Sequence, residues 1–246
     1  MRLATNAGFA ILAAVTLLLW EVGPADAAAI LWGSPNTISG NTDVDTTGTL
    51  VGAFNMGGTG VPTTTVNGVT FTGIALSGTT VTSGNFTFTQ TGGWNSNNIT
   101  SANNPFAALS ASYQNLLSWI AGDFTNPATI TMSGLTVGAK YEFEWWTNDS
   151  NGLQFVTTAT AVNSVSLTTN TTGLNGGVGQ FDIGTFTADA SSETITFSSG
   201  VQDIISGFEL RQTAAAAPEP ASLALLVVGL AGLGIARRRS KAARGN

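Results

Sequence analysis

The sequence contains no cysteine and no histidine among its 246 residues. The first absence excludes disulfides, so export has to be argued from targeting signals rather than from a disulfide framework. The second excludes Ser-His-Asp and Cys-His catalysis, and imidazole metal sites with them. Charge is also scarce, at 9% of residues. Between residues 28 and 220 only Lys140 and Arg211 are basic, against twelve acids, a net charge of −10. Phosphate backbones need clustered Lys and Arg, so nucleic acid is not a partner of this body. The remaining basic residues, Arg2, Arg237, Arg238, Arg239, Lys241 and Arg244, lie at the two ends.

What is present at those ends is apolar. After Arg2, an apolar stretch runs from about Gly8 to Trp20 and is followed by small residues that fit A-x-A at Ala25–Ala27 or Ala27–Ala29. This is the layout of a cleaved secretory signal peptide over residues 1–27, and the run is short for a membrane span. A retained N-terminal anchor is the alternative. Near the other end, residues 221–236 form a sixteen-residue uncharged run ending at Arg237, Arg238 and Arg239. As a helix this run would be about 24 Å long, somewhat short of a hydrocarbon core of about 30 Å. Arginine stems reach headgroups and lengthen the effective span. The basic tail at 237–246 would stay cytoplasmic, leaving everything before it outside. An amphipathic surface helix is the bland alternative, but no charged face interrupts the run.

Pro218-Glu219-Pro220 stands just before that run. Proline fixes φ and disfavours helix in the residue before it, so the triplet is held extended, as a protease substrate should be. Together with the apolar run and the arginines, residues 214–246 resemble the PEP-CTERM sorting signal of Gram-negative bacteria. The resemblance implies recognition of Pro218, Glu219 and Pro220 by exosortase, a membrane-embedded cysteine protease. It also implies an inner-membrane precursor with a periplasmic body, then delivery to the envelope or outside it, often alongside exopolysaccharide.

Between the signals, residues 28–213 are rich in Gly, Thr, Ser and Asn and are punctuated by short alternating runs such as "VNGVTFTGIAL", "GNFTFTQ", "KYEFEWWT" and "ETITFSS". Short β-branched and aromatic runs bounded by turn residues predict an all-β fold, a single antiparallel sandwich or jelly roll. One segment departs from this. Phe106, Leu109, Tyr113, Leu116, Leu117 and Ile120 recur at helical spacing, predicting one packed helix with Asn103 or Asn104 as N-cap and Gly122 as stop. The Gly/Thr-rich stretch from Met56 to Thr65 reads as either a long loop or a disordered segment. "LTVGAKY" resembles the strand opening of secreted galactose-binding-like and fibronectin-like sandwiches, and "IISGFELRQ" resembles their last strand. Both resemblances concern fold only.

Period two assigns faces to the strand at 140–147. Tyr141, Phe143 and Trp145 point to the core, while Lys140, Glu142, Glu144 and Trp146 point the other way. An exposed Trp146 flanked by Glu142 and Glu144 would stack on a sugar ring and hold its hydroxyls. The alternative is a Trp146 covered by the helix or a loop. A glycosidase reading of Glu142 and Glu144 is disfavoured, because both project from one side of the strand and an acid and base must flank the scissile bond. Asp43 and Asp45 in "NTDVDTTG", and Asp149 in "NDSNG", are candidate structural calcium ligands, against plain Asx-turn chemistry. No cofactor is required. The expectation is an exported, non-catalytic envelope or matrix sandwich, with a carbohydrate-binding module as the alternative and a polysaccharide-degrading enzyme behind that.

Overall fold

The computed structural model describes residues 29–123 and 127–214. The signal peptide expected at 1–27, Pro218-Glu219-Pro220, the run at 221–236 and Arg237–Arg239 lie outside the described residues. The fold is a β-sandwich of three sheets with strands numbered along the chain. The first, of eight strands, runs β1 (Leu31–Trp32), β14 (Gln180–Thr187), β11 (Lys140–Thr147), β17 (Gly207–Ala214), β3 (Thr49–Gly57), β5 (Val69–Ala75), β4 (Thr64–Val66), with β2 (Asn36–Thr37) also paired to β14. The second runs β13 (Asn163–Thr168), β12 (Val156–Ala161), β15 (Ser192–Ser198), β10 (Ala128–Ser133), β7 (Phe86–Gln90), β6 (Thr80–Ser83). A small third sheet, β16 (Asp203–Ile205), β9 (Trp119–Asp123), β8 (Asn95–Asn98), packs against β3, β11 and β12. Pairing is antiparallel throughout except between β3 and β5, which run parallel.

Period-two alternation builds the second sheet directly. Phe86, Phe88, Ile130, Met132, Ile195 and Phe197 point inward and are buried. The residues between them form a neutral hydroxyl face. Thr80, Thr89, Thr129, Thr196, Thr160 and Ser164 lie opposite one another in one unbroken row across all six strands. Thr131 and Thr194 hydroxyls bond across strands at 2.9 Å. Such cross-strand pairs suit β-branched side chains on a solvated face. The inter-sheet core is aromatic: Phe208 stacks on Phe54 and Phe143 at centroid distances of 5.3 and 5.2 Å, and Trp145 meets Phe197 at 5.1 Å.

The first sheet is covered on both faces, which decides between the two sequence readings of Trp146 in favour of the covered one. Its outer face carries a second apolar cluster, in which Phe71, Tyr113, Leu116, Leu117, Phe181 and Trp146 are packed together. The cover is the segment from Ile38 to Gly48, the β4–β5 hairpin and helix α1 (Ala111–Ser118). The hairpin turns at Asn67-Gly68, with φ of 48° and 81°; this is the left-handed pair that a two-residue hairpin loop requires.

The helix is also shorter than its apolar stripe predicts. A 3-10 turn spans Phe106–Ala108, Leu109 is extended, and α1 begins only after Ser110. Ser110 is the N-cap, its Oγ accepting the Tyr113 N–H at 3.2 Å, so neither Asn103 nor Asn104 caps it. Trp119 turns extended and continues as β9, so Gly122 lies in a strand rather than at a helix stop. Pairing with β8 overrides the helical spacing at Trp119 and Ile120, and β16 pairs with the residues that follow, Ala121 to Asp123. The Met56–Thr65 stretch is a short ordered connection, held by the Val61 N–H on the Gly58 carbonyl at 3.1 Å and by the Asn55 amide donating to Pro62 at 2.9 Å.

Candidate functional site

Two places on the sandwich concentrate chemistry. The first is a group of carboxyls under the Ile38–Gly48 segment. Register places Glu144 beside Glu209 and Glu142 beside Arg211 on neighbouring strands β11 and β17. Arg211 Nε contacts Glu209 Oε1 at 3.2 Å. From the covering segment, the Asp45 backbone N–H donates to Glu144 Oε2 at 3.0 Å, and the Asp45 and Glu142 carboxyls bond to each other. Glu144 and Glu209 are each 1% exposed. Four carboxyls around one guanidinium cannot all be ionised when water is excluded.

The titrations follow from that crowding. Burial, reinforced by the bond to Asp45 and its charge, pushes Glu142 up to about 7. Burial lifts Glu144 well above the usual carboxylate range, and the charge of the adjacent Glu209 adds to it. Burial also raises Glu209, against the opposing pull of Arg211. Burial works against the Asp45 carboxylate too, but bonds from Thr47 outweigh it and hold Asp45 below its ordinary value. Burial therefore favours the protonated forms of Glu144, Glu209 and Glu142, while Asp45 favours its carboxylate. The group fastens a chain segment to a sheet through the Asp45 N–H on Glu144, and its centre, Glu144 and Glu209, is closed to solvent.

This settles where the predicted site residues stand. Trp146 is fully buried, edge-on to Phe71 at 5.5 Å and stacked on Phe181 at 6.4 Å. An exposed Trp146 stacking on a sugar is therefore corrected: α1 and the β4–β5 hairpin lie over it. Glu142 and Glu144 do share its face, but Glu144 is sealed and Glu142 only half-buried, so they present no sugar-binding surface with the indole. Asp43 accepts from the Ser39 and Gly40 N–H groups at 2.7 and 3.0 Å, from Ser39 Oγ at 2.6 Å and from the Tyr113 hydroxyl at 3.0 Å. Asp45 accepts from Thr47 N and Oγ1, each at 2.9 Å. Asp149 accepts from the Asn151 N–H at 2.8 Å. The bonds of Asp45 and Asp149 to the N–H two residues on are Asx turns, while Asp43 reaches back to cap the turn that begins at Gly40. Among the described residues no three acidic side chains group to hold a metal ion.

The second place is a cleft of about 460 Å³ at the edge of the sandwich. The strands β3 and β5 pair only over Phe54–Gly57 and Thr72–Ala75, and part toward Thr49 and Val69. One wall is Leu50 to Phe54, the other Thr70 and Thr72, and the β6–β7 turn from Ser83 to Phe86 lies beneath. No charged side chain lines it. Neither this cleft nor the grouping of Asp45, Glu209 and Arg211 with Glu142 and Glu144 is signalled locally in the sequence. Asp45 meets Glu144 across 99 residues of chain.

The fold defines a β-sandwich with a closed polar interior and an uncharged edge cleft. Residues 216–240 match the family model of the PEP-CTERM protein-sorting motif, so the chain is an exported protein carrying that C-terminal sorting signal. No curated protein matches it. One solved structure, concerned with the promiscuous specificity of carbohydrate-binding modules from the β-sandwich superfamily, is similar over 55% of this chain and 66% of that chain. Identity there is 12% and the TM-score 0.17, which carries no argument about ligand.

Proposed function

We propose that the protein is a non-catalytic component of the cell envelope or extracellular matrix, associated there with exopolysaccharide. Residues 1–27 direct export and are removed, residues 28–213 form the working sandwich, and residues 214–246 are the sorting signal. The precursor is held in the inner membrane by residues 221–236, stopped by Arg237, Arg238 and Arg239, with its body in the periplasm. An exosortase-type protease recognises Pro218, Glu219 and Pro220. The observation that carries this reading is the sorting motif at 216–240 joined to a sandwich whose central carboxyls, Glu144 and Glu209, are sealed from solvent. The non-catalytic part is supported by that enclosure, since neither Glu144 nor Glu209 lines the cleft.

The test is substitution of Pro218, Glu219 and Pro220 by alanine in the producing cell. The precursor is expected to accumulate in the inner membrane. Maturation and release indistinguishable from the unsubstituted protein would remove the sorting claim.

A further inference from the structure

We propose that the cleft between β3 and β5 is where this protein holds a neutral glycan chain. The inference rests on the exopolysaccharide association proposed above and gives it a site and a ligand class. The parting of two parallel strands leaves the β5-facing backbone edge of β3, from Thr49 to Ala53, without a ladder partner. Backbone N–H and C=O groups at such an edge demand partners, and water or ligand hydroxyls supply them. Across the gap stand Thr72 and Thr70, the latter's hydroxyl also paired with that of Thr65 at 3.1 Å, with Ser83 and Asn85 below. Leu50 and Val51 are 39% and 37% exposed at the same place, offering aliphatic surface to the C–H face of a sugar. Ligand sites commonly combine apolar walls with a few convergent polar groups in a space of about 300–1,000 Å³.

The geometry is built rather than incidental. A Cβ at Gly52 would lie 2.6 Å from the Phe86 ring, so glycine lets that ring pack directly beneath β3 and set the depth of the cleft. The β6–β7 turn is pinned by Ser133, whose N–H and Oγ both donate to the Asn85 carbonyl, at 2.8 and 2.9 Å. The Asn85 side chain lies beside Gly134 and lines the cleft. Charge decides between glycan types. The lining is neutral while residues 28–220 carry a net charge of −10, so an anionic chain is repelled and a neutral one is not. Side-chain chemistry decides between glycan and peptide. Strand addition takes its specificity from pockets for alternate side chains, whereas the wall facing β3 here is two threonine hydroxyls.

The experiment uses the purified full chain and calorimetry, since Trp145 and Trp146 are buried away from the cleft. Cellohexaose, mannohexaose and dextran serve as neutral probes, polygalacturonate as the anionic one, and an alternating Val-Thr hexapeptide as the strand-addition probe. At least one neutral probe is expected to bind, and polygalacturonate is not. Thr72→Arg and Asn85→Arg, both at exposed positions, should each weaken binding tenfold or more with the melting temperature unchanged. Full affinity retained in both variants overturns the cleft assignment and leaves glycan association standing. Failure of every neutral probe with the unsubstituted protein, or binding of the hexapeptide alone, overturns both. Sorting is read separately, by the alanine substitutions at 218–220.

Discussion

The crowded, buried carboxyls beneath the Ile38–Gly48 segment make stability depend on pH in an unusual direction. Glu142 rises from 4.5 in the unfolded chain to about 7 in the folded one. A carboxyl whose folded value is raised binds its proton more tightly when folded. Its contribution is complete below 4.5 and is lost as pH climbs through 7. For a wholly desolvated group the effect would be about 3 kcal/mol, but Glu142 is only half-buried, and solvent screening reduces it to about 1 kcal/mol. Glu144 and Glu209 are raised by burial and act in the same direction, as does Asp182, lifted by burial to about 6. Asp45 is lowered and acts oppositely, its contribution being lost only as pH falls below 3.8. Stability should therefore peak in mildly acidic solution. Urea unfolding followed by the buried Trp145 and Trp146 tests this. With a slope of about 2 kcal/mol per molar urea, the midpoint should drop by about 0.5 M or more between pH 5 and pH 8.5. Glu142→Gln keeps a neutral donor toward Asp45 and should flatten part of that decline. Equal midpoints at the two pH values, a higher one at pH 8.5, or a Glu142→Gln variant with the full decline would refute the account.

Other outcomes follow from the packing. Trp146→Ala empties the centre of the outer cluster and should destabilise by about 3–5 kcal/mol in the same urea assay; a loss under about 1 kcal/mol would mean the indole is not enclosed as described. Ser110→Ala removes the α1 cap and should cost about 1 kcal/mol, with Ser110→Asp restoring it. Prolonged chelation should leave the melting temperature unchanged, because the oxygens of Asp43 and Asp45 already accept from protein donors; a drop reversed by calcium would show that these loops bind metal.

Much of the sandwich is legible along the chain because strand alternation is local. "FTFTQ" and "ETITFS" each declare an inner and an outer face, and the structure honours both. The same rule correctly turned Tyr141, Phe143 and Trp145 inward. It placed Trp146 on the opposite face but left open whether that face is exposed or covered by the helix or a loop, and the structure shows it covered. Alternation states which side of a strand a side chain takes, and says nothing of what the chain later lays over that side. The helical stripe from Phe106 to Ile120 failed in part. Its apolar residues are buried apart from the partly exposed Leu109, but Ser110 restarts the helix, β8 claims Trp119 and Ile120, and the distant β16 claims the residues just after them.

The sequence by itself determined the missing chemistry, since no fold can restore cysteine or histidine, and the sorting motif, which is read from contiguous residues. It also determined which residues form strands and which way most of them face, since these depend on neighbours one or two positions away. Only the tertiary structure decided that Trp146 is enclosed, that Asp45 shares a proton with a strand 97 residues further on, and that β3 and β5 part to open a neutral cleft. Each of these needs segments remote in sequence to meet, and no local pattern of hydrophobicity or charge records such a meeting.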